Sequence, residues 1–91
     1  MPVPPAEVTA EFTIHPFTEG GMEPHVSAGV EAAQASGLAV DVGPLGTGLS
    51  GARAEVLGAL VEVMDAAIDA GARSIHVKVE VPEAYVRTSR T

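Results

Sequence analysis

The chain has 91 residues, no cysteine and a formal net charge of −7, from twelve acidic and five basic side chains. That length allows one small domain with a thin core, for which oligomerisation is a natural source of further burial. The missing cysteines exclude a disulfide framework and a thiolate metal site. Arg53 is the sole basic residue before Arg73, so phosphate-rich partners, whether nucleic acid or an anionic membrane surface, find few cations to bind. A cationic or neutral small ligand suits this charge better. No apolar run approaches the roughly 20 residues of a membrane span, and Met1-Pro2-Val3-Pro4-Pro5 lacks the basic and apolar regions of a signal peptide. A soluble cytoplasmic protein is expected.

Val8, Ala10, Phe12 and Ile14 alternate with Thr9, Glu11 and Thr13, the period-two pattern of a strand with one buried face. His15-Pro16 ends it, and a loop follows from Thr18 to Gly21. Pro24 suits the first position of a helix running to Ser36, with Val26, Val30 and Ala33 on a stripe beside Gly29 and Gly37 as the stop. His25, near the start of that helix, is read as exposed. Leu38, Val40 and Val42 alternate with Ala39 and Asp41, a second strand stopped by Gly43-Pro44.

The next segment, Gly43 to Gly51, contains G-x-G-x-x-G at Gly46, Gly48 and Gly51. In a dinucleotide-binding domain this pattern opens a helix against a pyrophosphate. The chain is too short for such a domain, and the acids about twenty positions on, Asp65 and Asp69, fall inside a helical pattern rather than after a second strand. The alternative is a glycine turn leading through a short third strand, around Gly46 to Leu49, into a helix. Ser50 is the expected N-cap of that helix, Ala52 to Ala70. Leu57, Leu60, Val61, Met64 and Ile68 form its apolar stripe, and Gly58 implies a close packing contact. After Gly71, Ile75, Val77, Val79 and Val81 alternate with His76, Lys78 and Glu80 until Pro82 closes the last strand.

The order β-α-β-β-α-β predicts an α+β, ferredoxin-like domain over residues 6–82, with 1–5 and 83–91 as flexible ends. Right-handed crossovers give a four-stranded antiparallel sheet of order 4-1-3-2 with both helices on one face. The helices then cover Val8, Phe12, Ile14, Val40, Val77 and Val79. The open face presents Glu11, Thr13, His15, Asp41, His76 and Lys78. Opposing Thr13 to His76 sets Glu11 against Lys78, whereas opposing His15 to His76 sets Glu11 against Glu80, so the first register is preferred.

Several chemistries fit this face. His15 and His76 offer two nitrogens, one ligand short of a catalytic zinc site, so no metal is assigned. A histidine with Glu11 suits acid–base work, but no nucleophile–base–orienter set is legible, so no catalytic residue is assigned. A solvated or self-associating polar face remains open. So does a binding face on which Glu11 and Asp41 offset a positive charge and the threonines and histidines supply hydrogen bonds.

Three blocks carry a family resemblance: Phe12-Thr13-Ile14-His15-Pro16-Phe17, Gly43-Pro44-Leu45-Gly46-Thr47, and Gly71-Ala72-Arg73-Ser74-Ile75-His76-Val77-Lys78-Val79. In order and spacing they resemble the first strand, the G-P-[ML]-G-T turn and the final strand of the small thiamine-binding proteins, over roughly Glu7 to Val81. The resemblance implies a ferredoxin-like homodimer or homotetramer, built by sheet and edge-strand association. It also implies that thiamine, or its hydroxymethylpyrimidine half, is bound without being transformed, with no separate cofactor. It places Thr13, His15 and Thr47 at motif positions of the ligand site; the sheet geometry adds Glu11, Asp41 and His76 as neighbours, and Phe17 is the one obvious candidate for an aromatic wall. Where the family usually continues with two β-branched residues, an acid and a glycine, this chain has Gly48-Leu49-Ser50-Gly51. The alternative is a structural or regulatory self-associating module with no small-molecule ligand.

Overall fold

Alternation along the first strand is sharp enough to orient the whole sheet. Val8, Ala10, Phe12 and Ile14 are each buried, while Thr9 and Glu11 between them are exposed. The computed structural model describes residues 7–16, 23–43 and 46–81. Their elements are β1 (Glu7–His15), α1 (Pro24–Ala35), β2 (Ala39–Val42), β3 (Thr47–Ala52), α2 (Arg53–Asp69) and β4 (Ser74–Glu80). All strand pairs are antiparallel and the sheet order is β2-β3-β1-β4. This is the expected ferredoxin-like α+β arrangement. The preferred register is also the observed one: Thr13 opposes His76 and Glu11 opposes Lys78. No helix among the described residues is long and apolar enough to cross a membrane.

The helix ends follow simple chemistry. Pro24 occupies the first turn of α1, where its missing N–H costs nothing. Gly37 and Gly71, just beyond the two helices, hold φ of 81° and 109°, a region that favours glycine. α1 lies close to the sheet because Gly29 has no side chain. A Cβ there would stand 2.3 Å from Ile14 Cδ1 and 3.5 Å from Val63 Cγ1.

Five expectations are corrected. Ser50 does not cap α2: it lies in β3, opposite Thr9 and Ala39, and the N-cap is Ala52, without a side-chain bond. The ladder to β1 carries the expected short third strand on to Ala52, so the helix starts at Arg53. Gly58 has no close contact; nothing lies within 4 Å of a Cβ built there.

The stripe read on α2 is displaced around the helix. Val56, Ala59, Leu60, Val63 and Ala67 are buried, whereas Leu57, Val61 and Ile68 are 43%, 60% and 63% exposed. Two apolar stripes adjoin on this helix, and the one with smaller side chains faces inward, where α1 and β1 approach closely. Val77 and Val79 lie on the helix side of the sheet but stay 38% and 39% exposed, because β4 is the outer strand and the helices pack over its neighbours. His25 is buried rather than exposed. Its Nε2–H donates to the Pro16 carbonyl at 2.6 Å, tying the start of α1 to the end of β1.

Candidate functional site

The site is built from strand pleat. Residues opposite one another in adjacent strands share a face, so one row across the open face reads Asp41, Gly48, Glu11, Lys78. The next reads Ala39, Ser50, Thr9, Glu80. On the other side of the first row, Gly46 lies against Thr13, where an added Cβ would meet the Thr13 Oγ1 at 3.1 Å, and Thr13 opposes His76. Gly46 and, in β3, Gly48 and Ser50 therefore line this face, a strip almost without side chains.

The strip makes a trough of about 360 Å³, within the size range of small-ligand sites. Gly48, Ser50 and Ala39 form its low part, and Glu11, Asp41, Lys78 and Glu80 stand around it. Glu11 and Asp41 sit on strands separated by β3, so their backbones are about 10 Å apart, room for a flat ring between two carboxylates. The one cation on the rim, Lys78 Nζ, lies 3.7 Å from Glu80 Oε2, with both side chains about 70% exposed. The trough is thus acid-dominated, and its field favours positive over negative charge.

Most of the expected site residues share this face. Glu11 and Asp41 flank the trough directly. Thr13, His15 and His76 form a second group at its end, with the two imidazole centroids 4.7 Å apart and the rings tilted by 53°. Thr47 is not brought to the face. It opposes Phe12 and Val42 and is buried on the helix side. Phe17 lies outside the described residues. Among the described residues no group of three or more His, Asp or Glu side chains is placed to hold a metal ion. Sequence reasoning missed Thr9, Gly48, Ser50 and Glu80 as trough residues. The signal was present in the small open-face side chains at 39, 48 and 50, but the third strand was read as ending at Leu49, with Ser50 as a helix cap.

Fold and trough together define a class by shape: a ferredoxin-like domain with an acidic, glycine-floored trough on its open sheet. Comparison with known proteins narrows it. A model of the thiamine-binding protein family matches residues 10–87, and the chain belongs to that family. Solved structures share the fold. A domain of unknown function from Bacillus cereus is 26% identical, with a TM-score of 0.66 over 85% of this chain and 75% of the other. A Streptococcus pneumoniae protein is 20% identical, with a TM-score of 0.71 over 92% and 96%. A candidate thiamine biosynthesis/salvage protein from Thermotoga maritima is 19% identical, with a TM-score of 0.66 over 92% and 97%. A search of curated protein sequences returns no match.

Proposed function

We propose that this protein is a non-catalytic binding protein for thiamine or its hydroxymethylpyrimidine half, working as a homo-oligomer with the ligand on the open sheet face. The observation that carries the reading is the trough over Gly48, between the carboxylates of Glu11 and Asp41. Thiamine combines a permanently cationic thiazolium with a flat aminopyrimidine. In this reading Glu11 and Asp41 face the cation, and the hydroxyls of Thr9 and Ser50 serve the polar edges of the rings. Thr13, His15 and His76 close one end of the site. Thr47 supports β3 from beneath rather than touching ligand. Nothing in the role requires bond making, so the site needs only shape, charge and hydrogen bonds.

The test is calorimetric titration of thiamine into the full chain, run beside Gly48→Val. A Cβ at Gly48 meets nothing closer than 3.8 Å, the Ala10 carbonyl oxygen, and β-branched residues suit strands. The variant should therefore fold as well as the parent while its side chain fills the trough. Saturable heat with the parent and at least a tenfold weaker response with Gly48→Val is the expected result. A flat parent trace would reject thiamine and leave the self-associating module ahead. Equal binding by the two proteins would move the site elsewhere.

A further inference from the structure

Two of the three histidines stand side by side on the open face, away from the packed core. Thr13 opposes His76 and His15 opposes Ser74 in the β1–β4 ladder, so these four residues make a square on one face of the sheet. The histidines take one diagonal of the square and the two hydroxyl residues the other. Diagonal neighbours have backbones about 7–8 Å apart, a gap that two long side chains close from both sides. Here the imidazole centroids come to 4.7 Å. His15 is half-buried and His76 exposed, so the pair is rooted in the sheet and open to solvent. His25 differs, because its ring is buried and committed to the Pro16 carbonyl.

The ring geometry suits a chelate better than a stack. A coordinated ion lies in the plane of each imidazole, along the lone pair of a ring nitrogen, so parallel rings laid face to face cannot share one. Planes tilted by 53° do intersect, and a shared ion belongs on that line. Nitrogen–metal bonds of about 2.0–2.1 Å set each ring centre about 3.2 Å from the metal. Ligand angles between about 90° and 110°, square-planar to tetrahedral, then separate the two ring centres by about 4.5–5.2 Å. The observed 4.7 Å falls inside that range.

We propose that His15 and His76 chelate one late first-row divalent ion, with Cu²⁺ held most tightly and Ni²⁺ and Zn²⁺ less so. Imidazole suits these ions, and Cu²⁺ heads their order of affinity at a nitrogen–oxygen site. Calcium and magnesium take oxygen donors instead. Two nitrogens leave the coordination shell open, and water fills it, with the Thr13 and Ser74 positions alongside. The field is favourable: the chain carries a net charge of −7, and in the row next to the pair Lys78 is matched by Glu11 opposite it and by its ion pair with Glu80. One ligand comes from each strand, so a bound ion ties β1 to β4 and stabilises the folded state. The site goes beyond the thiamine reading and is tested with the metal alone.

The test is titration of Cu²⁺, Ni²⁺ and Zn²⁺ into the full chain without thiamine, in a buffer that does not coordinate metals. Calorimetry reads stoichiometry and affinity, and electron paramagnetic resonance reads the ligands of Cu²⁺. The parent should bind one Cu²⁺ per chain with the nitrogen hyperfine pattern of imidazole, and Zn²⁺ should raise its thermal midpoint. His15→Gln and His76→Gln should each weaken Cu²⁺ binding at least tenfold and abolish the Zn²⁺ effect, with circular dichroism confirming their folding. Glu11→Gln should bind Cu²⁺ as the parent does. Paramagnetic broadening by Cu²⁺ reads the same contact in the unsubstituted protein, where the ring protons of His15 and His76 should fade before those of His25. A parent that binds no more tightly than His15→Gln/His76→Gln would overturn the proposal and leave the pair a packing contact. So would loss of binding in Glu11→Gln with both histidine variants unaffected, which would put the ion among the trough carboxylates. Absence of thiamine binding beside the expected copper pattern would count against the thiamine reading alone.

Discussion

Glycine carries different work at three positions of this chain, and only the surroundings distinguish them. At Gly29 the absent side chain lets α1 approach Ile14. At Gly48 it leaves the trough open. At Gly58, exposed in mid-helix, it does neither, since a Cβ there would meet nothing within 4 Å. Glycine in a helix interior costs about 0.5–1 kcal/mol relative to alanine, through backbone entropy. Gly58→Ala should therefore raise stability by about that amount, read as a higher urea midpoint with an unchanged slope. A lower midpoint would mean that the helix face at 58 is occupied in the assembled protein. The sequence made 58 look like a packing contact and gave no sign that Gly48 opens a trough, because a glycine records only that something wants no side chain there. What wants it is a neighbour in space.

At the scale of elements, the junction between α1, β1 and α2 decides how thin the core is. A methyl at Gly29 would fall 2.3 Å from Ile14 Cδ1, which is itself buried in the core. Gly29→Ala should destabilise by about 1–3 kcal/mol, the usual cost of overpacking. Ile14→Val removes the clashing atom, so Gly29→Ala/Ile14→Val should lose less than the two single changes summed, a coupling that chemical denaturation measures directly. Additive losses would place the strain in the helix rather than at this contact. The same junction explains the displaced stripe on α2. Both candidate stripes have helical periodicity, and the space left by Gly29 and Ala33 admits the one bearing Ala59, Val63 and Ala67. Helical spacing in a sequence shows that a face is apolar; it does not show which partner covers it.

For the whole molecule, the net charge of −7 and the carboxylates around the trough favour a cation over long range, and added salt screens that attraction. The Debye length falls from about 10 Å at 0.1 M to about 3 Å at 1 M. Thiamine affinity should therefore weaken by several-fold over that range in the calorimeter. Affinity that is indifferent to salt would argue that stacking, not charge, holds the ligand. Binding to the folded state alone should also raise thermal stability, by about 2.7 kcal/mol at a hundredfold excess over Kd.

The alternation of Val8 to Ile14, the helical runs around Val30 and Leu60, and the stops at Gly37 and Gly71 determine the element order, the sheet order and the open-face membership of Glu11, Thr13, His15, Asp41 and His76. Those are local, periodic properties, and the register between β1 and β4 follows once the like-charge pairing of Glu11 with Glu80 is avoided. The three family blocks were legible for the same reason, since each is a short run of contiguous residues. Three-dimensional packing decided the rest. It turned Thr47 inward, buried His25 on the Pro16 carbonyl, and made the floor of a trough at Gly48 and Ser50. It also left one apolar stripe of α2 and the valines of β4 facing solvent. Each of these depends on how close another element comes, a distance set by residues far away in the chain, which no local pattern records.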